Sequence, residues 1–160
     1  PPSALATITK LIERAGNSGE TGGAITGVYT VLADGDDQND PVVDTARAIL
    51  DGHIVLSREI AQRGQYPAVD VGASLSRVMN DIVTPEHAKA ARRFRALSAT
   101  YEANRDLVMM GAYRKGTDAL LDEAIALNAS MVGFLSQEVG SHVDIPTAAA
   151  QMSGLFAGEN

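Results

Sequence analysis

The sequence contains no cysteine and no tryptophan, and only 4% of its 160 residues are aromatic. The lack of cysteine excludes disulfide frameworks, thiolate zinc sites and thiol nucleophiles, and it is compatible with a reducing compartment. Basic residues are also few, since 13 Lys and Arg stand against 20 Asp and Glu and give a net charge of -7. Nucleic-acid binding requires clustered positive charge on a basic chain, so we expect no nucleic-acid partner.

Long apolar runs are missing as well, since none approaches the roughly 20 residues that span a bilayer. The first residues, Pro1-Pro2-Ser3, lack the basic and apolar regions of a secretion signal. A natural chain normally begins with Met, so we expect the sequence to be a fragment of a longer protein. With 45% hydrophobic residues it can bury the core of one domain, or of one and a half.

The first half of the chain alternates between predicted helices and strands. The continuous apolar run from Ala24 to Ala33 is typical of a strand buried on both faces, as in a parallel sheet covered by helices. Residues 66–79 show no sustained period and contain Pro67 and Gly72, so we predict a loop with a short strand or helical turn there. The other predicted elements are a helix over residues 5–16, a flexible loop over 16–23, a polar turn over 34–41, a helix over 42–50, a strand over 53–56 and a helix from the cap Ser57 to Gly64.

The second half of the chain is predicted to be entirely helical. Thr84-Pro85 is a good helix start, with proline in the first turn, and the helix is expected to continue to about Val108. Two more helices are predicted over residues 120–135 and 146–156, and no strand candidate follows. The chain is therefore expected to consist of an α/β part, residues 1–83, and an all-α part, residues 84–160.

Several common site motifs are incomplete in this sequence. The glycine-rich loop over residues 16–23 has no lysine and precedes a strand, whereas a phosphate-binding loop follows a strand and ends in Lys-Ser/Thr. The acidic turn that starts at Asp34 lacks the glycine and the glutamate of a calcium loop. Ser74 and Ser76 fall short of the Gly-x-Ser-x-Gly nucleophile motif. The three histidines have no partner at ligand spacing, and no metal site is predicted.

The remaining candidate is the stretch from Tyr66 to Arg77. A tyrosine beside a rigid proline can stack its ring on a flat heterocycle. An arginine can donate its planar fork to phosphate oxygens. By residue chemistry alone a structural role is favoured, because a loop arginine more often forms a surface ion pair.

Six short motifs follow one another along residues 23–79. In order they are residues 23–32 (GAITGVYTVL), 35–37 (GDD) with Asp40-Pro41, 49–52 (ILDG), 53–58 (HIVLSR), 66–70 (YPAVD) and 74–79 (SLSRVM). Together they resemble the rotary-type hexameric ATPases, which include ATP synthase catalytic subunits and protein-export ATPases. Residues 50–58, 104–107 (NRDL) and 111–116 (GAYRKG) resemble the flagellar and type III secretion branch. The resemblance covers roughly residues 1 to 140.

This resemblance implies a fold, an activity and three site residues. The fold is the C-terminal part of a P-loop, RecA-like nucleotide-binding domain (α/β), followed by a helical C-terminal domain. Tyr66 matches the tyrosine that stacks on adenine, and Phe134 resembles the residue that closes the other side of the base. Arg77 matches the arginine finger, which reaches the γ-phosphate of ATP on a neighbouring subunit. Glu138 and Val139 stand where ATP synthase has Pro and Phe, so the second wall of the pocket differs.

The resemblance also implies a cofactor and partners. The cofactor is ATP with Mg²⁺, whose ligands and phosphate loop are expected outside this chain, so the fragment alone is predicted to be inactive. The expected partners are further copies in a homohexamer, stator, stalk and gate proteins of the export apparatus, and exported proteins or their chaperones. The expected location is the cytoplasm, at the inner-membrane export apparatus.

An alternative function is a helical protein-protein interaction module without a catalytic role. The helix after Pro85 carries basic residues beside apolar ones, which suits docking to a partner of an export or ATP synthase-like complex. A solvated helix face explains most of these charges more simply. The basic residues are Lys89, Arg92, Arg93 and Arg95.

Overall fold

The structure, a computed structural model, describes residues 2–20, 22–32 and 40–157. The chain forms two compact units, residues 1–53 and 54–160. Most of the predicted polar turn over residues 34–41 lies outside the described residues. The expected division at residues 83 and 84 stays a prediction. Among the described residues, no helix is both long and apolar enough to cross a bilayer.

The first unit contains two helices and one small antiparallel ribbon. Gly16 lies opposite Ile25 in this ribbon, and Asn17 lies opposite Ala24. The second helix begins at an Asp40 cap, whose carboxylate accepts the N–H groups that open the helix. Both helices agree with the predicted ones, and they pack against each other. The elements are α1 (Pro2–Ile12), β1 (Gly16–Asn17), β2 (Ala24–Ile25) and α2 (Pro41–Ile49).

The predicted long strand over residues 24–33 was wrong for its described part, residues 24–32. Only Ala24–Ile25 is strand, and its partner is β1, inside the segment that we predicted to be a flexible loop. The side chains of Val28 and Leu32 are 90% and 92% exposed. A buried strand needs neighbouring strands and covering helices, and none pairs with residues 26–32 in the described parts of the chain.

The second unit joins a two-stranded sheet to a group of helices. The strands β3 and β4 are hydrogen-bonded neighbours, and the short helix α3 lies between them in the sequence. The Ser57 hydroxyl caps α3, as predicted, by accepting the N–H of Ile60 at 3.4 Å. The elements are β3 (Gly52–Leu56, starting in the first unit), α3 (Arg58–Gln62), β4 (Val69–Ser76), α4 (Met79–Ile82), α5 (Pro85–Met109), α6 (Ala119–Leu135) and α7 (Ile145–Gly154).

Within residues 66–79, where a loop with a short strand or helical turn is predicted, the structure has the eight-residue strand β4, longer than expected. Val69, Val71 and Leu75 alternate with polar or small residues, which is the period of a strand. Pro67 precedes the strand, and Gly72 lies within it. A glycine inside a strand often marks an irregular position rather than the end of the strand.

Side-chain caps set the starts of the three long helices. The Thr84 hydroxyl accepts the N–H of His87 at 3.2 Å at the start of α5. The Asp118 carboxylate accepts two N–H groups at the start of α6. The Asp144 carboxylate accepts the N–H of Thr147 at 2.8 Å and caps α7. These hydrogen bonds satisfy donors that have no partner inside a helix, and they explain why the predicted helix starts agree with the structure.

The core of the second unit lies among α5, α6 and α7. Leu97 is fully buried at its centre. Phe94 packs there with Ala124, Met131 and Met152, and small alanines let α5 and α6 approach each other. This core is the rigid support on which the candidate site residues are placed.

Candidate functional site

Tyr66 lies in the turn between α3 and β4, with its side chain 60% exposed. Its peptide bond to Pro67 is cis. Its carbonyl oxygen accepts the backbone N–H of Gln137 at 2.9 Å. Gln137 in turn donates its side-chain amide to the Ser141 carbonyl at 3.1 Å. The backbone of Tyr66 is therefore fixed to the segment that follows α6, while its ring stays open to solvent.

Phe134 lies in the last turn of α6, shortly before Gln137. Its ring is half-buried and packs on Phe94, with ring centroids 5.7 Å apart and an angle of 59°. This tilted geometry is one that aromatic pairs prefer. The structure thus brings the end of α6 next to the Tyr66 turn, but it places the ring of Phe134 against the helical core.

Arg77 directly follows the last residue of β4 and precedes α4, and its side chain is exposed. Tyr66 lies before the other end of the same strand. Eight residues of strand span up to about 26 Å. The structure therefore separates the predicted base-stacking residue from the predicted phosphate-contacting residue, and the two do not form one local site.

Strand β4 is irregular between its two ends. The Asp70 carboxylate accepts the N–H of Ala73 at 2.9 Å, and the Asp70 carbonyl accepts the Ser74 hydroxyl at 2.5 Å. The N–H of Val55 on β3 donates to the Ser74 hydroxyl at 2.9 Å. Such local hydrogen bonds compete with regular strand pairing, so β4 has a built-in bend before Arg77.

Arg95 of α5 supports this irregular segment. Its guanidinium donates to the Val71 carbonyl at 2.7 Å and also to the Ser74 carbonyl. From the sequence alone, Arg95 is expected on a basic helix face, and no such contact is predicted. No sequence pattern connects an arginine on a helix with two carbonyls of an earlier strand, so only the structure reveals this contact.

Ion pairs connect α3 to α5 near the same sheet. One Glu59 oxygen accepts from Arg63 at 2.5 Å and from Arg105 at 2.9 Å. Arg63 also contacts Glu102 at 2.9 Å. The hydrogen bonds from Arg63 and Arg105 lower the pKa of Glu59 from its ordinary value of 4.5. Burial disfavours the charge on Arg63, but hydrogen bonds to Glu59 and Glu102 raise its pKa above the ordinary value.

A groove of about 290 Å³ lies among α3, β4, α5 and α6. Its wall includes the ion pair Arg63–Glu102 and Arg95. Tyr66, Arg77 and Phe134 do not line it. Its volume is at the lower end of the range of small-molecule pockets. The groove is therefore separate from the predicted nucleotide contacts.

Metal coordination finds no support in the described residues. Across residues 2–20, 22–32 and 40–157, no group of three or more His, Asp or Glu side chains is arranged to hold an ion. Aromatic and guanidinium groups are what the site residues offer, and these suit a base and a phosphate rather than a cation.

Two family models match successive parts of the chain. Residues 1–76 match the ATP synthase alpha/beta family, nucleotide-binding domain, and residues 83–154 match the T3SS EscN ATPase C-terminal domain. The chain is 51% identical over 144 residues to the flagellum-specific ATP synthase of Salmonella typhimurium, which is 90% of this chain and 32% of that protein.

Solved structures agree with these matches. The assembled ATPase EscN from the enteropathogenic E. coli type III secretion system superposes with a TM-score of 0.91 at 40% identity, over 97% of this chain and 37% of that one. EscN in complex with its central stalk EscO gives a TM-score of 0.85 at 38% identity, over 97% of this chain and 36% of that one.

The chain belongs to the flagellar and type III secretion ATPase family. The predicted family and fold class are thereby confirmed. As a member of this export ATPase family, the chain spans about a third of the length of the curated relatives it matches. Arg77 and α4 fall between the two matched ranges, directly after the nucleotide-binding domain.

Proposed function

We propose that this chain is part of an ATP-hydrolysing motor subunit that energises flagellar or type III protein export. The family membership supports the activity, because the relatives are named ATPases of these systems. The observation that carries the residue assignment is the position of β4, which is followed directly by exposed Arg77 and preceded by the turn that holds exposed Tyr66. In this proposal, Tyr66 holds adenine in the site of its own subunit and Arg77 completes the site of a neighbour.

Separation along β4 supports the division of roles. The two residues lie beyond opposite ends of an eight-residue strand, which suits contacts with two different nucleotides. Arg77 is the residue type that suits a γ-phosphate, because its guanidinium donates in a planar fork to two oxygens. Such a donor stabilises the negative charge that develops during phosphoryl transfer.

The adenine pocket is proposed at the junction of the Tyr66 turn and the end of α6. The hydrogen bond from Gln137 fixes the Tyr66 backbone, which keeps the entropy cost of stacking low. Phe134 is the proposed second contact, through the part of its ring that Phe94 leaves exposed. Glu138 and Val139 complete this edge, and Val139 is fully exposed.

ATP with Mg²⁺ is the proposed cofactor. Tyr66 and Arg77 would contact the base and the terminal phosphate, and Mg²⁺ supplies charge stabilisation to the phosphoryl oxygens when it is bound. The magnesium ligands and the phosphate-binding loop are expected in the rest of the full-length protein. This chain alone is accordingly proposed to be inactive.

The proposed assembly is a homohexamer with a central stalk. Its support comes from EscN, which was solved as an assembled ATPase and in complex with its stalk EscO. Stator and gate proteins, exported proteins and chaperones are further proposed partners, and the proposed location is the cytoplasm at the inner-membrane export apparatus.

The decisive experiment replaces Arg77 by alanine in the full-length protein. We expect ATP turnover to fall by about 10³- to 10⁵-fold, as for other arginine fingers. Nucleotide binding should be retained, because the finger contacts the transition state more than the ground state. Arg92→Ala, which removes an exposed arginine from α5, is the matched control and should leave turnover unchanged. Near-normal turnover of Arg77→Ala would reject the proposal.

A further inference from the structure

We propose that Arg95 is a positioning residue for Arg77. By bridging the carbonyls of Val71 and Ser74, it sets the direction in which β4 presents Arg77 to the neighbouring subunit. The inference rests on the proposed role of Arg77. In this inference Arg95, on helix α5, contributes to catalysis by positioning Arg77, which follows β4.

The segment that Arg95 holds is locally irregular. The Asp70 carboxylate and carbonyl bind Ala73 and Ser74 of the same strand, and the N–H of Val55 on β3 binds the Ser74 hydroxyl. The carbonyls of Val71 and Ser74 accept a donor from outside the sheet, the guanidinium of Arg95. A contact of this kind can keep a bent strand in one direction.

Arginine suits this contact better than other side chains. Its nitrogens form a rigid fork, and here one of them donates to both carbonyls, one on either side of Gly72. Hydrogen bonds from a charged donor are stronger than neutral ones. The two hydrogen bonds thus hold the bend of β4 from outside the sheet.

The support under Arg95 is rigid. Arg95 lies near the middle of the 25-residue helix α5, between buried Phe94 and fully buried Leu97. Those two residues anchor this turn of α5 in the helical core, so the guanidinium is presented from a fixed backbone. A displacement of the bend also displaces Arg77, because Arg77 directly follows the last residue of β4.

Catalysis depends steeply on such placement. A misplacement of about 1 Å of a catalytic group can reduce the rate about 10²-fold. Loss of Arg95 should therefore reduce kcat while the affinity for ATP remains, since Tyr66 lies before the other end of β4 and is held by Gln137. This split between kcat and KM distinguishes positioning from a general loss of folding.

The experiment uses the full-length protein with Arg95→Met, Arg95→Lys and the exposed control Arg92→Met. Arg95→Met is expected to lower kcat by about 10²-fold with KM changed less than about threefold. Arg95→Lys keeps a charged donor and should recover at least about tenfold of that loss. Arg92→Met should match the wild type. Thermal unfolding, followed by circular dichroism, should show the same midpoint for all variants within a few degrees.

A double variant separates this inference from the proposed function. In an Arg77→Ala background, Arg95→Met should cost less than about twofold, because residues that act as a unit are non-additive. If Arg77→Ala keeps turnover, the proposed function itself fails. The positioning role alone is overturned if Arg77→Ala loses turnover but Arg95→Met does not. It is also overturned if Arg95→Met loses the same factor in both backgrounds, or if its loss of turnover accompanies a lowered unfolding midpoint.

Discussion

Tyr66 combines a fixed backbone with an exposed side chain. Its carbonyl oxygen accepts the backbone N–H of Gln137, which limits backbone freedom, and the residue is 60% exposed. Exposed aromatic rings on a fixed backbone are suited to stacking, since little entropy is lost on binding. The ring is therefore the part of the turn on which nucleotide affinity should depend.

We predict that Tyr66→Ala weakens nucleotide binding and that Tyr66→Phe does not. Stacking of one base on an aromatic side chain is worth about 1 to 3 kcal/mol. The Kd of a fluorescent ATP analogue should thus rise by about 5- to 100-fold in Tyr66→Ala of the full-length protein. Phenylalanine keeps the ring and should stay within about twofold of the wild type. Equal affinities for the alanine variant and the wild type would rule out stacking.

Residue roles divide into those that the sequence could indicate and those that needed the structure. Tyr66 and Arg77 are proposed as site residues because they stand inside ordered motifs, and their roles stay predictions. Arg95 was not, since its partners are backbone carbonyls that leave no trace in the sequence. Phe134 shows a further limit, because the sequence could not reveal that its ring packs on Phe94.

Elements were predictable where the signals are local. Thr84, Asp118 and Asp144 cap α5, α6 and α7, and caps with proline or apolar spacing locate helices well. Strands depend on partners that are distant in sequence. Residues 24–32 looked like a buried strand yet pair only at Ala24–Ile25, whereas β4 forms despite Gly72 because β3 lies beside it.

The contact of α3 with α5 depends on charge. The pKa of Glu59 is lowered by Arg63 and Arg105, so the ionised form is favoured in the folded state. A carboxyl with a lowered folded pKa adds stability above its unfolded pKa and loses it as the pH falls through the folded pKa. The attachment of α3 should therefore weaken on acidification below the ordinary value of 4.5.

We predict that Glu59→Gln loosens α3 near neutral pH but not in acid. Amide hydrogen exchange of residues 58–62 should be faster than in the wild type at about pH 7, because the neutral side chain no longer pairs with the arginines. The difference should disappear only as the pH falls below the ordinary value of 4.5 and through the lowered pKa of the wild-type carboxyl, which then becomes protonated. Glu138→Gln makes the same charge change at an exposed site and serves as the control. A difference that persists unchanged in acid would contradict the charge mechanism.

At the scale of the molecule, the chain carries apolar surface that its own described residues do not cover. Ile54 and Leu56 of β3 are 76% and 68% exposed. Its curated relatives are about three times as long as this chain, and we expect the remainder of the full-length protein to cover such strands. The phosphate loop and the magnesium ligands are expected in that remainder too, so activity should belong to the assembled full-length protein.

An arginine that acts across a subunit interface predicts complementation between two inactive proteins. One is full-length Arg77→Ala, and the other keeps Arg77 but carries a disabled phosphate-binding loop. Mixed oligomers contain interfaces where an intact loop meets an intact Arg77, so ATP turnover should reappear on mixing, peak near equal amounts and rise with protein concentration.

A double variant with both defects, mixed with either single variant, is the control. Mixed with Arg77→Ala, it should give no recovery, because no subunit then carries Arg77. Mixed with the loop variant, it should also give no recovery, because no subunit then carries an intact loop. No recovery in the first mixture, when co-purification of differently tagged subunits shows that mixed oligomers form, would place Arg77 in the site of its own subunit.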